Sequence, residues 1–152
     1  MPSARPLPTG IVIRPAGYSD VASIEHLVLN VVREVYGDLF PEAAPHRAGN
    51  WRGGLLAEID GRIVGVVLSD DDWVEDLWVT KEHRRRGIGS ALLSAAERQI
   101  AKRDHTEARL RVVARNLEAR RFYGERGWAE MMSYPHESWG FTMVEMAKAL
   151  PV

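Results

Sequence analysis

Residues 84–89 read Arg84-Arg85-Arg86-Gly87-Ile88-Gly89, a strongly basic turn that carries two glycines. An apolar segment, Asp76-Leu77-Trp78-Val79, lies shortly before it, and an amphipathic segment at residues 90–100 follows it. A strand, a turn and a helix in this order bring free backbone N–H groups and the positive end of a helix dipole to one point. Glycine lets the backbone approach a ligand closely, and arginine has the geometry to bind phosphate oxygens. The stretch therefore predicts a phosphate-binding turn, called the basic turn below.

Hydrophobic periodicity on both sides of the basic turn predicts a mixed α/β order. Asp20 is expected to cap the first helix, Asp60-Gly61 predicts a tight hairpin, and residues 38–54 read as a loop rich in proline and glycine. Strands are predicted at residues 11–14, 55–59, 62–68, 73–79, 106–114, 128–134 and 141–146, with helices at residues 20–37, 87–103 and 116–127.

Composition fits one ordinary globular domain at residues 11–152, preceded by a disordered, proline-broken tail at residues 1–10. The chain has 152 residues, a net charge of −1 and no cysteine. The lack of cysteine excludes disulfides, thiolate metal sites and a cysteine nucleophile, and it is compatible with a cytoplasmic location. No apolar run has membrane-spanning length, and the first ten residues lack the apolar core of a signal peptide. We expect no metal.

Charge is segregated along the middle of the chain. Residues 70–76 hold five acids and no base, whereas residues 81–103 hold seven bases against two acids. An acidic patch beside a basic one suits a cationic substrate that meets an anionic cofactor. The alternative is that the first three acids only solvate a hairpin turn. The five acids of residues 70–76 are Asp70, Asp71, Asp72, Glu75 and Asp76.

Two motifs resemble those of the GNAT (GCN5-related) N-acetyltransferases. The basic turn matches Arg-x-x-Gly-x-Gly, the family's pyrophosphate loop, and a second signature with Asn and Tyr appears at residues 116–123, closing with Gly127-Trp128. A dinucleotide fingerprint or a P-loop would need glycine patterns that are not present. The resemblance covers roughly residues 11 to 149.

The resemblance implies a fold of the α/β (α+β) class. Its mixed, mostly antiparallel central sheet has six to seven strands, flanked by about four helices. Acetyl-CoA is the implied acyl donor. In the family, strand backbone pairs with the pantetheine arm, the amide at the position of Val79 polarises the thioester carbonyl, and the loop holds the pyrophosphate chiefly by backbone amides. Arg85 and Arg86 reach the 3′-phosphate or are only solvated. The cofactor-binding positions implied here are Leu77, Trp78, Val79, Arg84, Arg85, Arg86, Gly87, Ile88, Gly89, Ser90, Asn116 and Tyr123.

The resemblance also implies catalytic roles. Asn116 corresponds to a residue that contacts the pantetheine amides, and Tyr123 to the general acid that protonates the departing thiolate. The alternative for Tyr123 is an aromatic core residue beside Phe122 and Trp128. Where some members carry a glutamate as general base, this chain has Trp73. Glu75, of the same strand parity, is the candidate base, acting directly or through water; equally, it only attracts a cation, or ordered water alone serves.

Three function classes remain open. The first is an N-acetyltransferase whose acceptor is a cationic small-molecule or peptide amine. Residues 38–54 would lie over the acceptor pocket, and His136 and Glu137 are further candidates for it. The second is an acyl-CoA sensor without turnover. The third, a phosphate-contacting nucleic-acid module, is disfavoured by the weak net charge. We therefore expect neither nucleic-acid nor membrane partners, and the resemblance allows a homodimer.

Overall fold

The computed structural model describes residues 7–37, 50–138 and 140–151. Within them the order is β-α-β-β-β-α-β-α-β-β, as predicted, with 3-10 turns at Tyr18–Asp20 and Lys81–His83. Three α-helices and these two turns stand where about four helices were expected. The strands are β1 (Ile11–Pro15), β2 (Leu55–Ile59), β3 (Arg62–Asp70), β4 (Trp73–Val79), β5 (Glu107–Val113), β6 (Ala129–Pro135) and β7 (Thr142–Ala149), and the helices are α1 (Val21–Tyr36), α2 (Ile88–Lys102) and α3 (Leu117–Gly124).

The strands form one seven-stranded sheet in the order β1-β2-β3-β4-β5-β7-β6. The pairs β1–β2, β2–β3, β5–β7 and β6–β7 are antiparallel. The pair β4–β5 is parallel, with Trp73 opposite Arg109 and Val74 opposite Leu110. The predicted mixed, mostly antiparallel sheet is confirmed.

The described residues group into two compact units. The first unit draws on Met1–Ser69 and Asp76–Ala96, and the second on Asp70–Glu75 and Glu97–Val152. β4 and α2 each contribute residues to both units.

In the first unit, α2 packs closely on β3. A Cβ added at Gly65 would lie 2.9 Å from Leu92 Cδ1 and 3.3 Å from the Trp78 carbonyl oxygen. A side chain at this position would force Leu92 to shift, since packed interiors leave few voids. Gly65 therefore lets α2 pack close to β3 near the first turns of the helix. α1 buries one apolar side, which consists of Ile24, Leu27, Val28, Val31 and Val32.

In the second unit, Ala108, Leu110 and Val112, which share one side of β5, are buried. Glu97, in the second half of α2, accepts hydrogen bonds from Trp128 Nε1 at 3.2 Å and from Lys148 Nζ at 2.7 Å. A buried indole N–H and a partly buried ammonium therefore share one carboxylate, which satisfies all three groups.

The expected side-chain cap of α1 was wrong. Asp20 occupies the N-cap position but makes no capping bond with its side chain. Its carboxylate accepts instead from the Gly17 N–H at 2.7 Å and from both terminal nitrogens of Arg14 at 2.8 and 2.9 Å. The Arg14 hydrogen bonds lower the pKa of Asp20 to about 2. The guanidinium of β1 thus outcompetes the helix amides for this carboxylate.

Local turns follow the predicted chemistry, with shifts at element ends. Asp60 and Gly61 both adopt positive φ, 50° and 79°, which suits a two-residue hairpin. α3 ends at Gly124 rather than at Gly127, whose φ of 92° belongs to the turn after the helix. Thr9 and Gly10 form a turn, while residues 1–6 of the expected tail and residues 38–49 of the expected loop lie outside the described residues.

Candidate functional site

The basic turn contains two residues of positive φ directly before a helix. Arg85 and Gly87 adopt positive φ, 63° and 83°, and α2 begins directly after them at Ile88. The Gly87 carbonyl accepts from the Ala91 N–H at 3.0 Å, so Gly87 stands at the N-terminus of the helix. The first amides of an α-helix have no partner within the helix and carry its positive dipole end. The strand–turn–helix order predicted around residues 84–89 is confirmed.

The side chain of Arg84 is held by protein groups. Its two terminal nitrogens donate to the Glu34 carboxylate of α1 at 2.6 and 2.8 Å, and its Nε donates to the Val79 carbonyl at 3.1 Å. The Arg84 hydrogen bonds lower the pKa of Glu34 below its ordinary value. Any contribution of Arg84 to phosphate binding is therefore left to its backbone. Sequence reasoning missed Glu34, because no local pattern joins residues 50 positions apart.

The end of β4 is fixed on several sides in the first unit. The Thr80 N–H donates to the Val64 carbonyl at 2.9 Å, and Thr80 Oγ1 lies 2.8 Å from His83 Nδ1. Trp78 Nε1 donates to Asp76 at 3.0 Å, and its ring meets that of Tyr36 edge-on at 6.5 Å. The half-buried His83 thus anchors the turn that follows β4.

In the second unit, Asn116 caps α3. Its Oδ1 accepts from the Ala119 N–H at 3.1 Å, and its backbone carbonyl accepts from the Arg120 N–H at 3.1 Å. The capping bond satisfies one of the amides that the first turn of a helix leaves without a partner. The side-chain oxygen of Asn116 is therefore used locally, within the second signature.

Tyr123 lies in an aromatic cluster near the end of α3. Its ring centroid is 5.3 Å from that of Phe122 and 6.2 Å from that of Trp128, both at edge-on angles. Trp128 is only 3% exposed, whereas Tyr123 is half-buried. The packing alternative for this ring is thus present in the structure. It orients the tyrosine without excluding a role for the hydroxyl group, because ring packing and hydroxyl chemistry use different atoms.

Trp73 lies under two guanidinium groups of β5. The Arg109 and Arg111 Cζ atoms stand 4.8 and 4.4 Å from the ring centroid, within cation–π range. Glu75 follows two residues later and is half-buried. By strand alternation it points to the same side of β4 as Trp73.

The acidic stretch is partly neutralised within the second unit. Asp72 accepts from Arg109 Nε and Nη2 at 2.9 and 2.7 Å, and Asp71 lies 2.7 Å from His105 Nε2. Burial acts to raise the pKa of Asp72, but the hydrogen bonds and charge of Arg109 outweigh it and leave the pKa lowered. Asp71, with φ of 53°, also forms the turn between β3 and β4. These two carboxylates therefore have structural partners as well as a turn position.

The last two strands are joined near His136. Its backbone N–H donates to the Phe141 carbonyl at 2.7 Å, its ring lies 4.9 Å from the Phe141 ring, and its Nδ1 accepts from the Ser138 N–H.

Over residues 7–37, 50–138 and 140–151, no group of three or more metal-ligating side chains lies together. No helix in the same ranges is long and apolar enough to cross a membrane.

Residues 41–150 match the family described as "Acetyltransferase (GNAT) domain", which is well over half of the chain. An uncharacterized N-acetyltransferase of Methanocaldococcus jannaschii is 40% identical over 87 residues, covering 53% of this chain and 54% of that protein. The chain spans about half the length of the curated relatives it matches.

Solved structures show the same fold at low identity. A protein named Ard1 from Thermoplasma volcanium has a TM-score of 0.75 at 21% identity, over 95% of this chain and 100% of that one. A putative acetyltransferase from Salmonella typhimurium, solved with its cofactor acetyl-CoA, has a TM-score of 0.74 at 18% identity, over 94% and 95%. From the family match, with this fold agreement beside it, the chain belongs to the GNAT acetyltransferase family.

Proposed function

We propose that the protein is an acetyl-CoA-dependent N-acetyltransferase that acetylates a primary amine of a small molecule or peptide by direct attack in a ternary complex. The observation that carries this proposal is the basic turn, where two residues of positive φ precede the N-terminus of α2. The acetyl-CoA held by a structural neighbour of the same fold supports the choice of donor.

The residues of the first unit suit a diphosphate. The α2 amides at Ile88, Gly89 and Ser90 offer donors at a helix N-terminus, and the exposed Arg85 and Arg86 add positive charge. We assign the diphosphate to the backbone of residues 84–90, and the pantetheine arm to the backbone of Leu77, Trp78 and Val79 with Asn116. Arg85 and Arg86 are the candidates for the 3′-phosphate.

Bound acetyl-CoA supplies a thioester carbonyl carbon, to which the amine nitrogen bonds as the carbon–sulfur bond breaks. In our proposal the Val79 N–H donates to the carbonyl oxygen as negative charge develops on it, which is a rate term of several kcal/mol. The Tyr123 hydroxyl donates its proton to the departing sulfur, because a phenol is protonated at neutral pH. The proton lost by the amine goes to Glu75, directly or through water.

We propose that the acceptor is a cationic amine. Fewer of the acids at residues 70–76 support this proposal than the sequence alone indicated. Asp71 and Asp72 are paired with His105 and Arg109, so their charge is partly cancelled. We propose Glu75 for the acceptor amine because it is half-buried and, by strand alternation, points to the same side of β4 as Trp73.

Glu75→Gln tests the base. We expect kcat/KM to fall on the order of 10²-fold, the usual contribution of a general base, and the acidic limb of the pH–rate profile to disappear. Steady-state kinetics from pH 5 to 9 measures both. Glu107→Gln, an exposed carboxylate of β5, is the matched control and should leave the profile unchanged. An unaltered profile in Glu75→Gln would remove this residue as base and leave ordered water in that role.

The second candidate is an acyl-CoA-binding domain without turnover. It is favoured by Trp73, which stands where some members of the family carry a glutamate base and which packs against Arg109 and Arg111. A sensor would need the cofactor-binding half of the site and not the proton-transfer groups.

Thermal denaturation followed by a thiol-release assay tests both candidates. Acetyl-CoA should raise the melting temperature, because a ligand that binds only the folded state stabilises it by mass action, whereas free adenine nucleotides should not. Thiol release over a panel of amines then separates the two. Stabilisation with no thiol release for any amine would favour the sensor; no stabilisation would contradict both.

A further inference from the structure

Glu34 and Arg84 form a two-point contact between α1 and the start of the basic turn. The Arg84 Nη1–Glu34 Oε2 distance is 2.6 Å and the Nη2–Oε1 distance is 2.8 Å. Parallel N–H···O bonds of this kind fix the direction of a guanidinium as well as its position. The contact therefore defines where the Arg84 side chain, and hence the residue that opens the turn, must lie.

Arg84 makes a third contact that reaches the end of β4. Its Nε donates to the Val79 carbonyl at 3.1 Å, while the N–H of the same peptide unit, on Thr80, donates to the Val64 carbonyl at 2.9 Å. Both polar groups of the peptide that follows β4 are thus engaged. The Glu34 carboxylate orients the guanidinium that makes one of these two bonds.

The backbone just after Arg84 is costly to hold. Arg85 adopts φ of 63°, a left-handed conformation that costs a residue with a side chain on the order of 1 kcal/mol, and Gly87 follows at 83°. Such a turn persists only when its two ends are fixed. Ile88, 1% exposed, fixes the end that enters α2. At the other end, Arg84 is fixed through its side chain.

We propose that Glu34 is a positioning residue for the diphosphate of the acyl donor. It acts through Arg84, by holding the basic turn in its binding conformation, and this inference rests on the proposed function. The side chains of Arg84 and Glu34 are 29% and 33% exposed. An ion pair so exposed adds little to the stability of the whole chain. Its effect is therefore expected in the shape of the turn.

Titration calorimetry with two acyl donors, acetyl-CoA and S-acetylpantetheine, tests the proposal. Glu34→Gln should weaken acetyl-CoA binding about fivefold, the size expected for one partly exposed charged hydrogen-bond pair. Binding of S-acetylpantetheine, which has the thioester but no diphosphate, should be unchanged. The melting temperature of the ligand-free variant should be close to that of the parent chain, which separates the turn effect from unfolding.

Glu58→Gln is the matched control. Glu58 lies on β2 in the same unit and pairs with Arg14 at 3.1 Å, with side chains 23% and 34% exposed. Glu58→Gln removes an ion pair that lies away from the basic turn, so the affinity of this variant for acetyl-CoA should not change. A double variant, Glu34→Gln with Arg84→Ala, should bind acetyl-CoA no more weakly than Arg84→Ala alone, because Glu34 acts through Arg84.

The two proposals fail in different ways. If the parent chain does not bind acetyl-CoA at all, the proposed function is wrong. If the parent chain binds it, then unchanged affinity in Glu34→Gln overturns the positioning role. An equal loss for acetyl-CoA and S-acetylpantetheine also overturns it, because that pattern belongs to a general structural defect.

Discussion

Gly87→Val is expected to abolish acetyl-CoA binding, by at least about 100-fold, in a chain that still folds. Gly87 has φ of 83°, where a β-branched residue is strained by about 1–3 kcal/mol. The turn would relieve that strain by changing its backbone path, which moves the amides that we propose for the diphosphate. An added side chain would also hold the ligand away from the backbone. Calorimetry gives the affinity, and thermal denaturation gives the stability.

Gly61→Val separates strain from ligand binding. Gly61 has φ of 79° at the β2–β3 hairpin, and a Cβ there would have nothing within 4 Å. The substitution should cost comparable stability while leaving acetyl-CoA affinity intact. Gly89→Ala adds a stricter test, since alanine favours the helix yet its Cβ tilts toward the N-terminus where the diphosphate is proposed. Normal affinity in a folded Gly87→Val protein would remove the diphosphate assignment.

Tyr123→Phe is expected to lower kcat on the order of 10²-fold, with acetyl-CoA affinity changed by less than about twofold. Phenylalanine keeps the ring, and therefore the edge contacts with Phe122 and Trp128, but removes the proton that we assign to the departing thiolate. Thiol-release kinetics under saturating donor measures kcat, and calorimetry measures the affinity. The split between the two distinguishes proton donation from donor binding.

Tyr18→Phe provides the comparison for this loss. Tyr18 is 97% exposed in the turn before α1, so removing its hydroxyl should change neither constant. Full turnover in Tyr123→Phe would leave this tyrosine with its packing role alone. A parallel fall in stability and activity would point to the aromatic cluster instead, and the melting temperature decides between these outcomes.

Much of the fold is local in origin, which is why its order was predictable. The Asp60-Gly61 pair specifies its hairpin through its own φ angles, and Asn116 caps α3 through a bond to a residue three positions away. The stripe on α1 and the alternation on β5 are periodic signals that survive in the core. The ends of elements were predicted less well where only local propensity indicated them. The end of α3, for example, is Gly124 and not Gly127.

The tertiary partners of charged residues could not be predicted. The backbone of Arg84 was expected to bind phosphate, but the partner of its guanidinium, Glu34, lies 50 positions earlier in the chain and was not predicted. Asp20 was expected to cap a helix, and it pairs with Arg14. Asp72 meets Arg109, 37 positions later. Each pairing depends on which elements become neighbours in the fold, which cannot be deduced from the local sequence around either residue.

The contact at Gly65 limits how the donor side of this protein can be redesigned. The absence of a side chain at Gly65 lets Leu92 approach the strand, so α2, whose first amides we propose for the diphosphate, lies close to β3. Substitutions that enlarge this position would force Leu92, and with it the packing of α2 on β3, to change. Variant libraries aimed at a different acyl donor should keep Gly65 and Leu92 unchanged and vary the chain elsewhere.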